Sequence, residues 1–143
     1  MSRSRLRADE GFTLVELLVV MLILGILTAI GLGSFLGQKG KAQDANAKTA
    51  VVTASKALAA YSTDNGGFTD ADVDALAKIE PSLGQAHNLT VDATASTFTV
   101  SVDSFAGGAF SLSHAANGDE TRDCTQPGTG ACRDSADARG NRW

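Results

Sequence analysis

Gly11-Phe12-Thr13-Leu14-Val15-Glu16-Leu17-Leu18-Val19-Val20-Met21-Leu22-Ile23-Leu24-Gly25 opens the stretch that decides how the chain is read. From residue 12 to residue 36 there are 25 residues, 18 of them apolar, and Glu16 is the only charge. A helix of that length extends for roughly 38 Å, enough to cross a hydrocarbon core of about 30 Å. Before it stands an arm with Arg3, Arg5 and Arg7 against Asp9 and Glu10. The arginines favour a cytoplasmic N-terminus, and Lys39 and Lys41 at the far end weaken that bias only slightly. The run is too long for a cleaved secretory signal, whose apolar part is about 7–15 residues before an A-x-A-like site. The nearest such site, Leu27-Thr28-Ala29, is a poor one.

The rest of the chain is lean. The 143 residues carry 12 basic and 16 acidic side chains, a net charge of −4, and half of the apolar residues outside the greasy run are alanine. Composition argues against full disorder, a collagen-like chain or a dense disulfide scaffold. The acidic balance, with no basic cluster in the bulk of the chain, argues against general nucleic-acid binding.

Two features set residues 12–36 apart from a plain anchor. A carboxylate inside a membrane helix costs about 2.5–3.5 kcal/mol on insertion scales, so Glu16 requires a partner. Gly11 gives an accessible peptide bond between charged arm and apolar run. Cutting it would place a free amine on Phe12 one helical turn from Glu16, near enough to pair within a chain or between staggered neighbours.

This junction, Gly11-Phe12-Thr13-Leu14-Val15-Glu16, resembles the class III signal of type IV pilins and type II secretion pseudopilins. The resemblance implies that a membrane prepilin peptidase cuts between Gly11 and Phe12, that Phe12 is then N-methylated, and that Glu16 guides assembly. It implies an α+β pilin fold, with a long N-terminal α-helix, part membrane and part amphipathic, packed on a small antiparallel β-sheet. The expected layout is a leader at 1–11, a transmembrane and filament-core helix at 12–36, its amphipathic half at 37–63, and a globular domain at 64–143. The implied partners are membrane lipid, other copies in a helical filament, the prepilin peptidase, and an inner-membrane assembly platform with its ATPase. The implied location is a single-pass membrane protein with a cytoplasmic N-terminus, later a cell-surface or periplasmic filament. Removing the leader would leave 132 residues of net charge 9 − 14 = −5.

Glycines 25, 31, 33, 37 and 40 mark a weak stretch or a close-packing surface in the helix. Beyond it, Ala47, Val51, Ala54, Leu58 and Tyr61 share one helical face, and Asp44 precedes Lys48 by four residues in the favourable order for a pair. Ser62-Thr63-Asp64-Asn65-Gly66-Gly67 ends that helix. A short helix is expected from about Thr69 to Ile79. Its Asp70, Asp72 and Asp74 resemble the opening of a calcium loop. Ala75 and Pro81 stand where such a loop needs glycine and glutamate, so capping is the reading and no metal is expected.

Three segments alternate with period two: Leu89, Val91, Ala93; Phe98, Val100, Val102; Phe110, Leu112. They predict about three antiparallel strands with one face on the helix. Residues 117–143 are polar without a period. Cys124 and Cys132, with no histidine beside them, make a poor zinc site and read as a disulfide in an extracytoplasmic domain. Trp143 either folds back on the domain or frays.

No nucleophile motif, zinc motif or phosphate loop surrounds His87 or His114, so no catalytic residue and no cofactor is expected, and the chain is not expected to be an enzyme. Asn88-Leu89-Thr90 is a glycosylation sequon only where a suitable transferase exists. The arginines of the tail read as a mixed solvated surface, so nucleic acid is not an expected partner. Three roles follow as expectations: subunit of a pilus-like filament serving adhesion or motility; pseudopilin or minor pilin of a protein-secretion or DNA-uptake filament; or a membrane-anchored extracytoplasmic binding domain. The cysteine pair and the lack of a calcium signature favour the first.

Overall fold

The computed structural model describes residues 12–143, which form two units, one ending at Gly37 and one from Gln38 to Trp143. One helix, α1 (Leu14–Asn65), contributes to both. Up to Gly37 it is helical without a break, through Gly25, Gly31 and Gly33. Thr28, polar and otherwise costly in an apolar helix, donates its hydroxyl to the Leu24 carbonyl at 2.7 Å. All seventeen large apolar side chains from Phe12 to Leu36 are exposed, so among the described residues nothing covers them.

The second unit buries its apolar residues. α1 ends at Asn65, with Gly66 at φ +74° beyond it, a left-handed residue that stops a helix. Then follow α2 (Val73–Ile79), a 3-10 turn (Pro81–Gln85) and four strands: β1 (Thr90–Ala93), β2 (Phe98–Asp103), β3 (Ala109–His114) and β4 (Glu120–Cys124). The sheet order is β1-β2-β3-β4 and every pair is antiparallel, a meander made by short loops. Asp72 caps α2 by accepting the Ala75 N–H at 2.7 Å, which is the role expected of that acid.

The core joins the α1 face of Ala47, Val51, Ala54 and Leu58 to Phe98, Val100 and Val102 of β2 and Phe110 and Leu112 of β3. Leu76 and Leu83 close it from α2 and the 3-10 turn. This is the α+β architecture expected from the alternation and the helical stripe. Four alanines line it (47, 54, 57 and 71), so the helix can approach closely but the buried volume is small. The helix exit is tied to the β1–β2 turn where the Phe68 N–H donates to the Ala95 carbonyl. Gly67 is required there: a Cβ would lie 2.7 Å from that oxygen.

The strand count differs from expectation. Glu120–Cys124 forms a fourth strand that period-two reading missed, because only Cys124 in it is buried. Its outer edge is occupied by the C-terminal tail. Arg142 N–H donates to the Arg122 carbonyl at 2.8 Å, and the Asn141 side chain accepts the Arg122 N–H at 2.9 Å. An otherwise open edge is thereby blocked. Trp143 does fold back. Its indole N–H reaches the carbonyls of Asp123 and Ser111, and its ring meets Phe110 edge-on at 6.0 Å.

Candidate functional site

The head of α1 gathers the residues that the sequence singled out. Gly11 lies outside the described residues, so only the Phe12 side of the expected scissile bond is seen, and Phe12 is exposed. Thr13 is the residue just before the helix. Its hydroxyl accepts the Glu16 N–H at 3.2 Å. In return, the Glu16 carboxylate faces the Thr13 N–H at 3.5 Å and its hydroxyl at 3.4 Å. This reciprocal arrangement is a capping box. It satisfies donors that a helix N-terminus leaves free, and it places the carboxylate at the positive end of the helix dipole.

The partner that Glu16 requires is therefore, within one chain, Thr13. This threonine is a different partner from the freed Phe12 amine expected from the sequence. The signal was present in Thr13-Leu14-Val15-Glu16, which has the S/T-x-x-E spacing immediately before an apolar run. Hydrogen bonds from these neutral donors offset part of the cost of taking the acid into an apolar setting without removing its charge, so Glu16 remains able to attract a cation.

The second constellation lies where the disulfide loop meets α1. Cys124 and Cys132 are bonded, with Cα atoms 5.8 Å apart. The loop they close is braced by Thr129 N–H to Gln126 carbonyl and Gly128 N–H to Cys132 carbonyl bonds. Asp44 and Lys48 hold it against the helix. Asp44, only 4% exposed, accepts the Ser104 hydroxyl at 2.6 Å and the Ala131 N–H at 2.9 Å. Lys48 donates to the Ala131 carbonyl at 2.7 Å. The expected helix pair is thus replaced: both side chains turn to one residue of the loop and satisfy its part-buried N–H and C=O. Gly130, at φ +59°, brings its Cα against the Asp44 carboxylate, where a side chain has no room.

Lys48 also lies 5.1 Å from the centre of the Phe110 ring and 5.7 Å from that of Trp143. Burial lowers its pKa from the ordinary 10.5, with Asp44 opposing that shift and Arg133 adding to it. The two histidines behave as packed groups. His114 stacks on Phe98 at 5.0 Å and His87 on Phe105 at 4.1 Å. Among the described residues no group of three or more His, Cys, Asp or Glu side chains is placed to hold a metal ion.

Known proteins resemble the chain in keeping with this head group. A family model for the prokaryotic N-terminal methylation motif matches residues 6–32. Type II secretion system core protein G of Vibrio cholerae is 40% identical over 74 residues, 50% of this chain and 51% of that protein. The core protein G of Aeromonas hydrophila is 39% identical over 72 residues, 49% of this chain and 50% of that protein. That of Escherichia coli strain K12 is 38% identical over 57 residues, 40% of this chain and 39% of that protein. The matches therefore span about half, or less, of the length of these relatives.

Proposed function

We infer that this chain, a member of the type IV pilin and type II secretion pseudopilin family, is a filament subunit of the pseudopilin kind. It is made as a membrane-anchored precursor, cut after Gly11 by a prepilin peptidase, methylated on Phe12 and polymerised through α1. It catalyses nothing itself; an inner-membrane platform and its ATPase act on it.

One observation carries this reading: a helix apolar on all sides, with every large side chain from Phe12 to Leu36 exposed, headed by a single acid in a capping box. Such a helix is at home in lipid or among copies of itself, and in lipid helices associate by close packing and by hydrogen bonds. Glu16 is the one charge in that packing surface and so sets the register of neighbours. Similarity to secretion-system core proteins supports the pseudopilin role over the pilus subunit that the cysteine pair suggested. The outer domain then lies on the far side of the membrane, where a disulfide persists.

Intact mass spectrometry of the membrane-extracted protein tests the processing. The expected species begins at Phe12 and carries one methyl group; a chain that keeps Met1 in peptidase-proficient cells overturns the reading. Glu16→Ala should be processed normally yet yield no filaments, and unchanged filament yield removes its assembly role. Electron microscopy with the subunit labelled separates a long surface pilus from a short secretion filament.

A further inference from the structure

Along the stem and exit of α1 the exposed charges are segregated by sign, whereas those of the C-terminal tail are mixed. From Gln38 to Tyr61, α1 carries Lys39, Lys41, Lys48 and Lys56, and its single acid, Asp44, is buried against Ser104 and Ala131. Lys39, Lys41 and Lys56 are exposed. From Ser62 to Ala77 there is no base, and Asp64, Asp70, Asp72 and Asp74 are all exposed; the next base in the chain is the exposed Lys78, one turn beyond Asp74 on α2. Among the described residues the ion pairs are His114–Glu120 and Arg142–Asp123, so neither group forms an ion pair there. Asp72 has the task of capping α2; Asp64, Asp70 and Asp74 have no side-chain partner among the described residues.

We propose that the basic stem around Lys39 and Lys41 docks the acidic head at residues 64–74 of a second copy of this chain. The proposal rests on the filament reading above. Copies inserted into one membrane share one orientation, so a stem meets a head as a different surface of an identical chain. A contact between different surfaces of identical chains is heterologous, and one that does not close propagates as an open helical filament. The 23 residues from Lys41 to Asp64 rise about 35 Å along α1, so the docked copies are offset along the filament by about that distance. Gly40, between the lysines, faces inward toward Ala106, which leaves Lys39 and Lys41 on opposite flanks of the buried stripe. A stem can then receive acids from either side. Complementary charge at this offset also disfavours stem-to-stem and head-to-head pairings.

The competing occupant of the two lysines is the anionic headgroup of a lipid, since they follow the apolar run directly. The head distinguishes the two. Full-length chain should be expressed with its native assembly machinery as wild type, as Lys39→Asp/Lys41→Asp, as Asp64→Lys/Asp74→Lys, and as the fourfold exchange. Both double variants should lose at least about tenfold in filament sedimented from lysed cells, and the exchange should recover to within about threefold of wild type, because like charges at a contact repel. Zero-length carbodiimide coupling of wild-type filaments should join Lys39 or Lys41 to an acid of residues 64–74 in another copy. Cleavage before Phe12 and the thermal melt should be unchanged in every variant, which separates assembly from folding. Normal filaments from the head variant, loss only in the stem variant, or no recovery by the exchange each overturn the contact and leave the filament reading in place. Absence of filaments in wild type overturns the filament reading itself.

Discussion

Before Gly37, α1 leaves every large apolar side chain exposed; after Gln38 the same helix buries Ala47, Val51, Ala54 and Leu58. The difference lies in the side chains. The first stretch is apolar on all faces and bulky, so no single partner element could cover it. The second has one narrow stripe of small residues, matched to one face of a four-stranded sheet. Burying a large aliphatic side chain is worth about 1.5–3 kcal/mol. Among the described residues the first unit leaves that gain untaken, while the second takes it within the chain.

That contrast can be broken most directly with leucines. Leu58→Ala should destabilise the outer domain by about 2–5 kcal/mol, read as a fall in the denaturation midpoint of the detergent-solubilised chain. Leu22→Ala, in the same helix, should leave that midpoint in place. Equal effects would mean that the first unit is packed within the chain after all. A smaller change comes from reducing Cys124–Cys132. Its short loop predicts a loss of about 2–3 kcal/mol, confined to the second unit, with processing before Phe12 unaffected.

The head of α1 sharpens the comparison from the other side. Thr13→Val removes the capping hydroxyl and should cost about 1 kcal/mol of local helix stability. Amide exchange of residues 14–17 in micelles should rise, and the midpoint of the outer domain should not move. The smallest effect concerns Asp137, whose carboxylate accepts N–H bonds from Asn141 and Arg139. These hold its pKa below the ordinary 3.8. The bound form is therefore fully present above 3.8 and is lost as pH falls from there through the lower folded value. Chemical shifts of Arg139 and Asn141 should move together in that acid range, while those of residues 22–32, which carry no titratable side chain, stay fixed.

Much of this was legible in residue order. The long apolar run and the Gly11-Phe12…Glu16 spacing announce the rod and its head, because a membrane-sized helix needs only local composition to declare itself. The stripe of α1 and the strands β2 and β3 follow from simple periods, since one face of each is buried. The capping box is equally readable at Thr13 and Glu16, in the S/T-x-x-E spacing before an apolar run. β4 had no such signal. Its Glu120, Thr121, Arg122 and Asp123 are polar, and it is a strand because β3 offers it an edge.

By itself the sequence determined the apolar rod, the acid at its head, the helical stripe, three alternating strands and a pair of cysteines able to bond. Each depends on chemistry within a few residues. Only the tertiary structure decided the fourth strand, the return of Trp143 to Phe110 and the turning of Asp44 and Lys48 toward Ala131, 83 residues beyond Lys48. Those outcomes depend on which buried backbone groups lack partners once the chain is folded, and no local pattern of side chains records that.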